Sequence, residues 1–156
     1  MKKTDLNNKS DSDIKQLITE TTTLLDQKTL AIWASDCVEH VMTFFEEKYP
    51  SDKRPRQALE ATRAWVKGEI SIGEARSAAF ESHAAAREIE DGVAYAVARA
   101  AGHAAATAHV ASHAVHAANY AAKVGSKERT WQYEKLLSLL SQKRTFISVE
   151  KLFCPC

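Results

Sequence analysis

Histidines are concentrated in one part of the chain, where alanine is the most frequent residue. Four of the six histidines lie within residues 100–122, at positions 103, 109, 113 and 116. On a continuous helix, His109, His113 and His116 fall within about 60° of one another, whereas His103 lies about 120° or more away. Imidazoles at this spacing could hold one divalent metal ion such as Zn²⁺. They could equally be polar residues of a helical bundle, hydrogen-bonded to carboxylates, carbonyls or water, or form a pH-responsive surface.

A facing helix could supply further ligands to such a metal site. Asp36 and His40 lie one helical turn apart, with Glu39 beside them. The carboxylate could also fix the tautomer of His40, which is half of an acid–base arrangement, but no nucleophile accompanies the pair. Cys37 points about 100° away from Asp36, so we predict a buried, inert thiol. His83 stands alone on another predicted helix and is interpreted as a packing or capping residue.

Common catalytic metal signatures are missing from the sequence. Neither H-E-x-x-H nor E-x-x-H occurs. These are the best-attested patterns of zinc peptidases and di-iron bundles. A metal site built on the histidines would therefore be of another kind.

The basic run Lys53-Arg54-Pro55-Arg56 lies at a predicted helix start, where positive charge opposes the helix dipole. We predict a partly buried arginine–carboxylate network that braces the loop. The candidate partners in this network are the carboxylates of Asp52, Asp36, Glu39, Glu46 and Glu47. The alternative is a patch for phosphate or an acidic partner, because arginine forks suit both. Since the net charge is only +1 and no nucleic-acid-binding motif is present, no nucleic-acid partner is expected.

The elements that must position these side chains are helices. Five glycines and three prolines leave few turns, and 26 of the 156 residues are alanine. We predict an all-α, single-domain helical bundle of about five to six helices around a central alanine-rich helix. The predicted helices begin near Ser12, Lys28, Pro55, Ser71, Gly92 and Ser126. Ser71-Ile72-Gly73-Glu74 is interpreted as a capping box and Gly68 as a C-terminal cap. The second helix should run to about Lys48, and the alanine-rich helix unbroken to Lys123.

The chain divides into a bundle and two flanking segments. Residues 12–143 form the predicted bundle, residues 1–11 a mobile N-terminus and residues 144–156 a C-terminal tail. Because residues 145–149 are apolar and β-prone, we expect them to pack as an extended strap. The terminal Cys154-Pro155-Cys156 could join a metal site, form an intermolecular bridge or remain an exposed tail.

Two features bear on the location of the protein. The N-terminal lysines are not followed by an apolar segment, so no secretory signal is expected and the predicted location is cytoplasmic. The 23 residues Ala100–Ala122 carry no Asp, Glu, Lys or Arg and are long enough to span a bilayer. Because this stretch contains four histidines and no leucine, we expect a buried helix of a soluble bundle and no membrane partner.

Several short motifs occur in an order that resembles a bacterial protein family. They are Trp33-Ala34-Ser35-Asp36-Cys37-Val38-Glu39-His40, Asp52, Arg54-Pro55-Arg56, Ala64-Trp65, Gly68 and Ala108-His109-Val110. Over roughly residues 30–125 the chain is similar to the putative immunity proteins with an Imm-5-like domain. The resemblance implies a small all-α cytoplasmic protein that neutralises a toxin made by the same or sibling cells, in a polymorphic toxin system. It implies no catalytic residues.

On this resemblance we expect a non-enzymatic immunity protein that needs no cofactor and whose partner is a cognate protein toxin. Positions that match the pattern of the family and could face the partner are Asp36, His40, Asp52, Arg54, Arg56, His109 and His113.

Two other hypotheses come from the residues themselves. The first is a helical metal-binding protein whose single divalent ion, such as Zn²⁺, serves structure or hydrolysis. Its ligands would be His109, His113 and His116, with His40 or Asp36. The second is a homodimeric scaffold with the small-residue helix at its interface.

Overall fold

The computed structural model describes residue 6 and residues 8–152 of the chain, with side chains up to residue 146. The helices are α1 (Asp11–Thr22), α2 (Gln27–Val41), α3 (Thr43–Glu46), α4 (Arg54–Lys67), α5 (Ile72–Arg87), α6 (Gly92–Ala106), α7 (His113–Ala121) and α8 (Glu128–Leu152). A 3₁₀ turn, Ala122–Val124, follows α7. No strand occurs in this part of the chain. The all-α class is confirmed, and the count of five to six helices was too low because two predicted helices are each divided.

Local capping signals determine where several helices begin and end. Ser71 accepts a hydrogen bond from the backbone of Glu74, whose carboxylate accepts one from the backbone of Ser71, as the sequence predicted for the start of α5. A reciprocal pair of the same kind, between Ser10 and Asp13, opens α1. Gly68 ends α4 in the left-handed conformation, with φ of 78°, which confirms its predicted capping role.

Helix α6 forms the centre of the bundle. It packs against α2, α4, α5 and α7, and its alanines from position 94 to position 106 are buried. Methyl side chains let the neighbouring helices approach closely, so larger residues of those helices fill the space between. Trp33 of α2 is fully buried. Its indole nitrogen donates a hydrogen bond of 2.9 Å to the carbonyl oxygen of Gln132 in α8, which fixes these two helices to each other.

The alanine-rich segment is two helices rather than the single helix predicted from the sequence. Helix α6 ends at Ala106 and α7 begins at His113. In a continuous helix, the carbonyls of Thr107 and Ala108 would accept hydrogen bonds from amides four residues later. Here the side-chain amide of Gln27 donates to both carbonyls, at 2.8 and 3.1 Å. A side chain 80 residues away in the sequence therefore occupies the acceptors that helix continuation needs.

The prediction that residues 145–149 form an extended strap is wrong, because the structure describes a helix there. Helix α8 continues through residues 145–149 and ends at Leu152. No glycine or proline interrupts it, and the Thr145 hydroxyl donates to the carbonyl of Ser141 within the helix. Phe146 is 67% exposed, so its side chain does not pack against the core. Cys154-Pro155-Cys156 and residues 1–5 lie outside the described residues.

None of the described helices is both long enough and apolar enough to cross a membrane.

Replacing Gln27 with methionine should lower the free energy of unfolding by about 1–3 kcal/mol, because two partly buried carbonyls lose their donor. The measurement is urea unfolding followed by circular dichroism. The control is Gln57→Met, at an exposed position of α4, which should change stability by no more than about 0.5 kcal/mol. Equal effects of the two variants would show that Gln27 does not hold the break between α6 and α7.

Candidate functional site

Five histidines come together where α5, α6 and α7 meet. The break between α6 and α7 lets α7 pack back against α6. The ring of His103 consequently lies 5.2 Å from that of His113 and 5.4 Å from that of His116, between ring centroids. The Nδ1 atoms of His103 and His113 are 3.0 Å apart, the distance of a hydrogen bond. The histidine cluster consists of His83, His103, His109, His113 and His116.

Gly102 makes room for the fifth ring. His83 of α5 contacts His103 edge to face, with 4.9 Å between ring centroids. A Cβ atom at position 102 would lie only 2.4 to 2.8 Å from three atoms of the His83 ring. The ring therefore occupies the space that any other residue at position 102 would fill. His83 is not the isolated packing residue that the sequence predicted, but a member of the cluster.

The cluster continues toward the C-terminal end of α7 through Tyr120. The ring of Tyr120 stacks on His103, with 5.3 Å between centroids and 14° between planes. Two cations lie over the same ring. The guanidinium carbon of Arg99 is 5.5 Å, and the Lys123 ammonium 4.5 Å, from its centroid. Both are within the range of a cation–π contact.

The half-buried histidines His83 and His103 are neutral near neutral pH. Burial first, and then the neighbouring histidines and Arg99, lower the pKa of His103 to about 3. Burial likewise lowers the pKa of His83 to about 4, assisted by Arg99, His113 and Arg87. The pKa of His113 is also below its ordinary value, for the same first reason. No carboxylate is among the groups that act on these three rings.

A surface pocket borders the histidine cluster. Its volume is about 230 Å³, and its lining residues are Arg76, Ala79, Phe80, His83, Ala106, His109 and His113. Phe80 is 62% exposed beside it. The guanidinium of Arg76 lies over the Phe80 ring, 6.0 Å from its centroid. The pocket thus combines apolar walls with imidazole edges, which suits contact with another molecule.

The structure divides the predicted metal ligands between two surfaces. His113 lies next to His109 and His116, with ring centroids 5.1 and 5.9 Å away. His40 instead stacks on Trp131 of α8 at 3.9 Å and contacts a Glu128 carboxylate oxygen at 2.8 Å.

The Asp36 carboxylate lies 3.3 Å from the ammonium of Lys135. The expectation that His40 or Asp36 would complete the histidine set is therefore wrong. Among the described residues, no group of three or more His, Cys, Asp or Glu side chains is arranged to hold a metal ion.

The predicted arginine–carboxylate network is present around the loop before α4. Arg54 binds Asp52 through two nitrogens, at 2.7 and 3.0 Å, and also binds Glu88, the residue that follows α5. Arg56 spans Glu46 and Glu39. The hydrogen bond from Arg56 keeps the pKa of the Glu46 carboxyl below its ordinary value, against the opposing effect of burial.

Two predicted members, Asp36 and Glu47, have no hydrogen bond or ion pair to Arg54 or Arg56, and Glu88 was not foreseen. Arg63 of α4 joins the network through Glu39, at 2.8 Å. The guanidinium groups of Arg54 and Arg56 are thus already bound to carboxylates of the same chain. Their main role in the fold is to tie the loop before α4 to α2, α3 and α5.

The Trp131 ring on which His40 stacks lines a second cavity, and Cys37 contributes nothing to it. A cavity of about 440 Å³ lies between the N-terminal residues and α8, and Trp131, on which His40 stacks, lines it. Cys37 is 1% exposed. Burial raises the pKa of its thiol well above the ordinary value, so the thiol is unreactive, as the sequence predicted.

Comparison with known proteins identifies one family. The family model described as Imm-5 like putative immunity protein matches residues 20–139 of the chain. No curated protein and no solved structure matches the chain. The matched residues include the whole of α2 to α7, and with them the histidine cluster and the arginine network.

Replacing Gly102 with alanine should lower the free energy of unfolding by about 1–2 kcal/mol, because the new methyl group overlaps the His83 ring. On helix propensity alone, the same change would stabilise the protein by about 1 kcal/mol. In a His83→Ala background, Gly102→Ala should therefore become neutral or stabilising. Urea unfolding of all four proteins measures the coupling, and a stabilising Gly102→Ala in the unaltered chain would contradict the contact.

The free energy of unfolding should fall as the pH drops from about 7.5 to about 5. The unfolded chain protonates His83 and His103 near the ordinary pKa of about 6.5, whereas the folded chain keeps them neutral down to about 4 and about 3. The unfolded state binds more protons in this window, so acid favours it. Because solvent reaches the half-buried rings, the expected loss is about 1–3 kcal/mol, measured by urea unfolding at each pH.

The His83→Gln/His103→Gln variant should lose less stability over the same window. The carboxyls of Glu46 and Asp52, whose pKa values are lowered, lose their contribution only below about pH 4.5 and do not interfere. An unchanged pH dependence in the double variant would show that other groups cause the effect.

Proposed function

Because the chain belongs to the Imm-5 like putative immunity protein family, we propose that it binds a cognate protein toxin and neutralises it without catalysing a reaction. The family match over residues 20–139 carries the proposal. An inhibitor of this kind acts by occupying a surface of the toxin, so it needs a preorganised contact surface. A helical bundle with internal ion pairs provides such a surface.

The chemistry of the polar groups supports a binding role. Cys37, the thiol within the described residues, is buried and its pKa is raised. Asp52, Arg54 and Arg56 bind one another or other side chains of the bundle. The histidines of the cluster contact one another, and no carboxylate of the described residues acts on His83, His103 or His113 to orient it as a general base.

We place the toxin-contacting surface at the pocket beside the histidine cluster. His109 and His113, both expected from the sequence to face a partner, line this pocket. Phe80 and Val110 stand exposed at the same end of the bundle, 62% and 44% accessible. Exposed apolar side chains around a partly polar pocket are typical of the central part of a protein interface. The arginine network, by contrast, acts within the bundle.

Co-expression with the toxin encoded beside this gene should protect the producing cells. The purified proteins should form a complex by size-exclusion chromatography. Toxin activity should decline in proportion to the added protein and stop declining at a fixed molar ratio, because one molecule covers one toxin. Inactivation of many toxin molecules by one molecule would indicate catalysis, and failure to bind or protect against that toxin would contradict the proposal.

Phe80→Ser tests the position of the surface and should weaken toxin binding by about tenfold or more. Leu24→Ser is the matched control, because Leu24 is 61% exposed and does not line the pocket. Binding measured by calorimetry should be unaffected in the control. Equal affinities of the two variants would place the toxin elsewhere on the bundle.

A further inference from the structure

Unpartnered buried polar atoms collect at one place in the bundle. Within the described part of the chain, three buried side-chain atoms have no hydrogen-bond partner: His83 Nδ1, Arg99 Nε and Gln132 Oε1. Two of the three, those of His83 and Arg99, adjoin the same stretch of α6. A buried polar group without a partner costs about 1–3 kcal/mol. Such groups usually have a water molecule, an ion or a ligand as their partner.

His83 and Arg99 are neighbours because of the spacing on α6. The His83 ring covers the backbone at Gly102. Arg99 precedes Gly102 by three residues and therefore lies on the same face of α6, about one turn away. His103, which touches the His83 ring, follows on that face. Arg99 is close enough to His83 to lower the pKa of its imidazole, and the two side chains do not bond to each other. A molecule with several acceptor oxygens could partner both.

Arg99 differs from the other partly buried arginines. Arg54, Arg56, Arg63 and Arg129 each bind a carboxylate. Among the described residues Arg99 has no ion pair and no hydrogen bond, only the contact with the Tyr120 ring.

The charged side chains that contact Tyr120 or act on His83 are cations. The Lys123 ammonium, like the Arg99 guanidinium, lies over the Tyr120 ring. Arg87 of α5 is close enough to His83 to lower the pKa of its imidazole. Neither Lys123 nor Arg87 forms an ion pair within the described part of the chain. Cations that are close together and share no carboxylate repel one another, so an anion between them would be stabilised.

We propose that Arg99, His83 and His103 form a binding site for an oxyanion, with a carboxylate or a phosphate group as the ligand. The guanidinium of Arg99 donates to one oxygen and the His83 imidazole to another. Lys123 and Arg87 add positive charge from the 3₁₀ turn and from α5. The site shares His83 with the pocket at Phe80. It does not rest on the proposed toxin function, because a free oxyanion can bind at Arg99 in the absence of a toxin.

Anion binding should be linked to proton uptake. His83, His103, His113, His109 and His116 face this region, with Tyr120 and the cations Arg76, Arg87, Arg99 and Lys123. A bound anion favours the protonated imidazole, which donates from both nitrogens. Affinity should therefore rise as the pH falls, even for an anion whose own charge does not change.

The test is a titration of the full chain with sodium sulfate, at constant ionic strength maintained with sodium chloride, followed by NMR of labelled histidine and arginine side chains. Sulfate keeps its double charge across the working range. The His83 and His103 resonances should shift and saturate, with an affinity several-fold higher at about pH 6 than at about pH 8. Arg99→Met should weaken binding by about tenfold or more. Shifts that never saturate, or that persist unchanged in this variant, would overturn the proposal.

Two further variants keep the result interpretable. Arg144→Met removes the same charge at an exposed position of α8 and should leave the affinity unchanged, which separates a local site from general attraction. Arg99→Lys retains the charge but lacks the forked donors, so it should bind more weakly than the unaltered chain even if Arg99→Met fails to fold. Full affinity in Arg99→Lys would contradict a site built on the guanidinium.

Parallel titrations with inorganic phosphate and with N-acetylglutamate distinguish the source of the oxyanion. Tighter binding of phosphate would indicate a free phosphate compound as the ligand. Tighter binding of N-acetylglutamate would indicate an acidic side chain of a partner. Saturable, Arg99-dependent binding of either one supports the site, and the absence of such binding for sulfate and for both of these compounds would overturn it.

Discussion

Close contact between α5, α6 and α7 is the constraint on which the rest of the structure depends. The buried alanines of α6 permit it along most of the helix, and Gly102 permits it at the point where an imidazole lies against the backbone. The contact also requires the chain to turn after Ala106. That turn leaves two backbone carbonyls without their helical donors, and the side-chain amide of Gln27 in α2 donates to both. Small side chains and one remote amide thus bring five histidines together.

The polar groups of the bundle fall into two kinds. Around the loop before α4, each arginine is bound to carboxylates of the same chain, so the charges stabilise the fold and leave little for a partner. Around the histidine cluster, basic groups and neutral imidazoles lie together, and no carboxylate of the described residues acts on His83, His103 or His113. The second region retains unused hydrogen-bonding capacity and borders an exposed phenylalanine. A protein of an immunity family would be expected to contact its partner where such capacity remains.

The sequence patterns correctly predicted those features of the fold that depend on residues close together in the chain. The Ser71 capping box, the Gly68 cap and the all-α class all follow from residues within a few positions of one another. The arginine network could be anticipated because charges at a helix start require compensation, although its partner Glu88 could not. The break after Ala106 depends on Gln27, 80 residues away, and no glycine or proline marks it. Because the sequence pattern predicted one continuous helix, His103 was placed on a different face from the other three histidines, and His83 was assigned to no site.

The most direct test of this account is the distance between His103 and Tyr120. If the alanine-rich segment were one helix, 17 residues at about 1.5 Å each would separate these rings by about 25 Å. In the structure the ring centroids are 5.3 Å apart. A nuclear Overhauser measurement on protein labelled in its histidine and tyrosine rings should therefore detect cross-peaks between the two side chains. Cross-peaks that vanish in Tyr120→Leu would establish the folded-back arrangement of α7 on α6. Their absence from the spectrum of the unaltered chain, with both rings assigned, would contradict it and remove the basis for the histidine cluster.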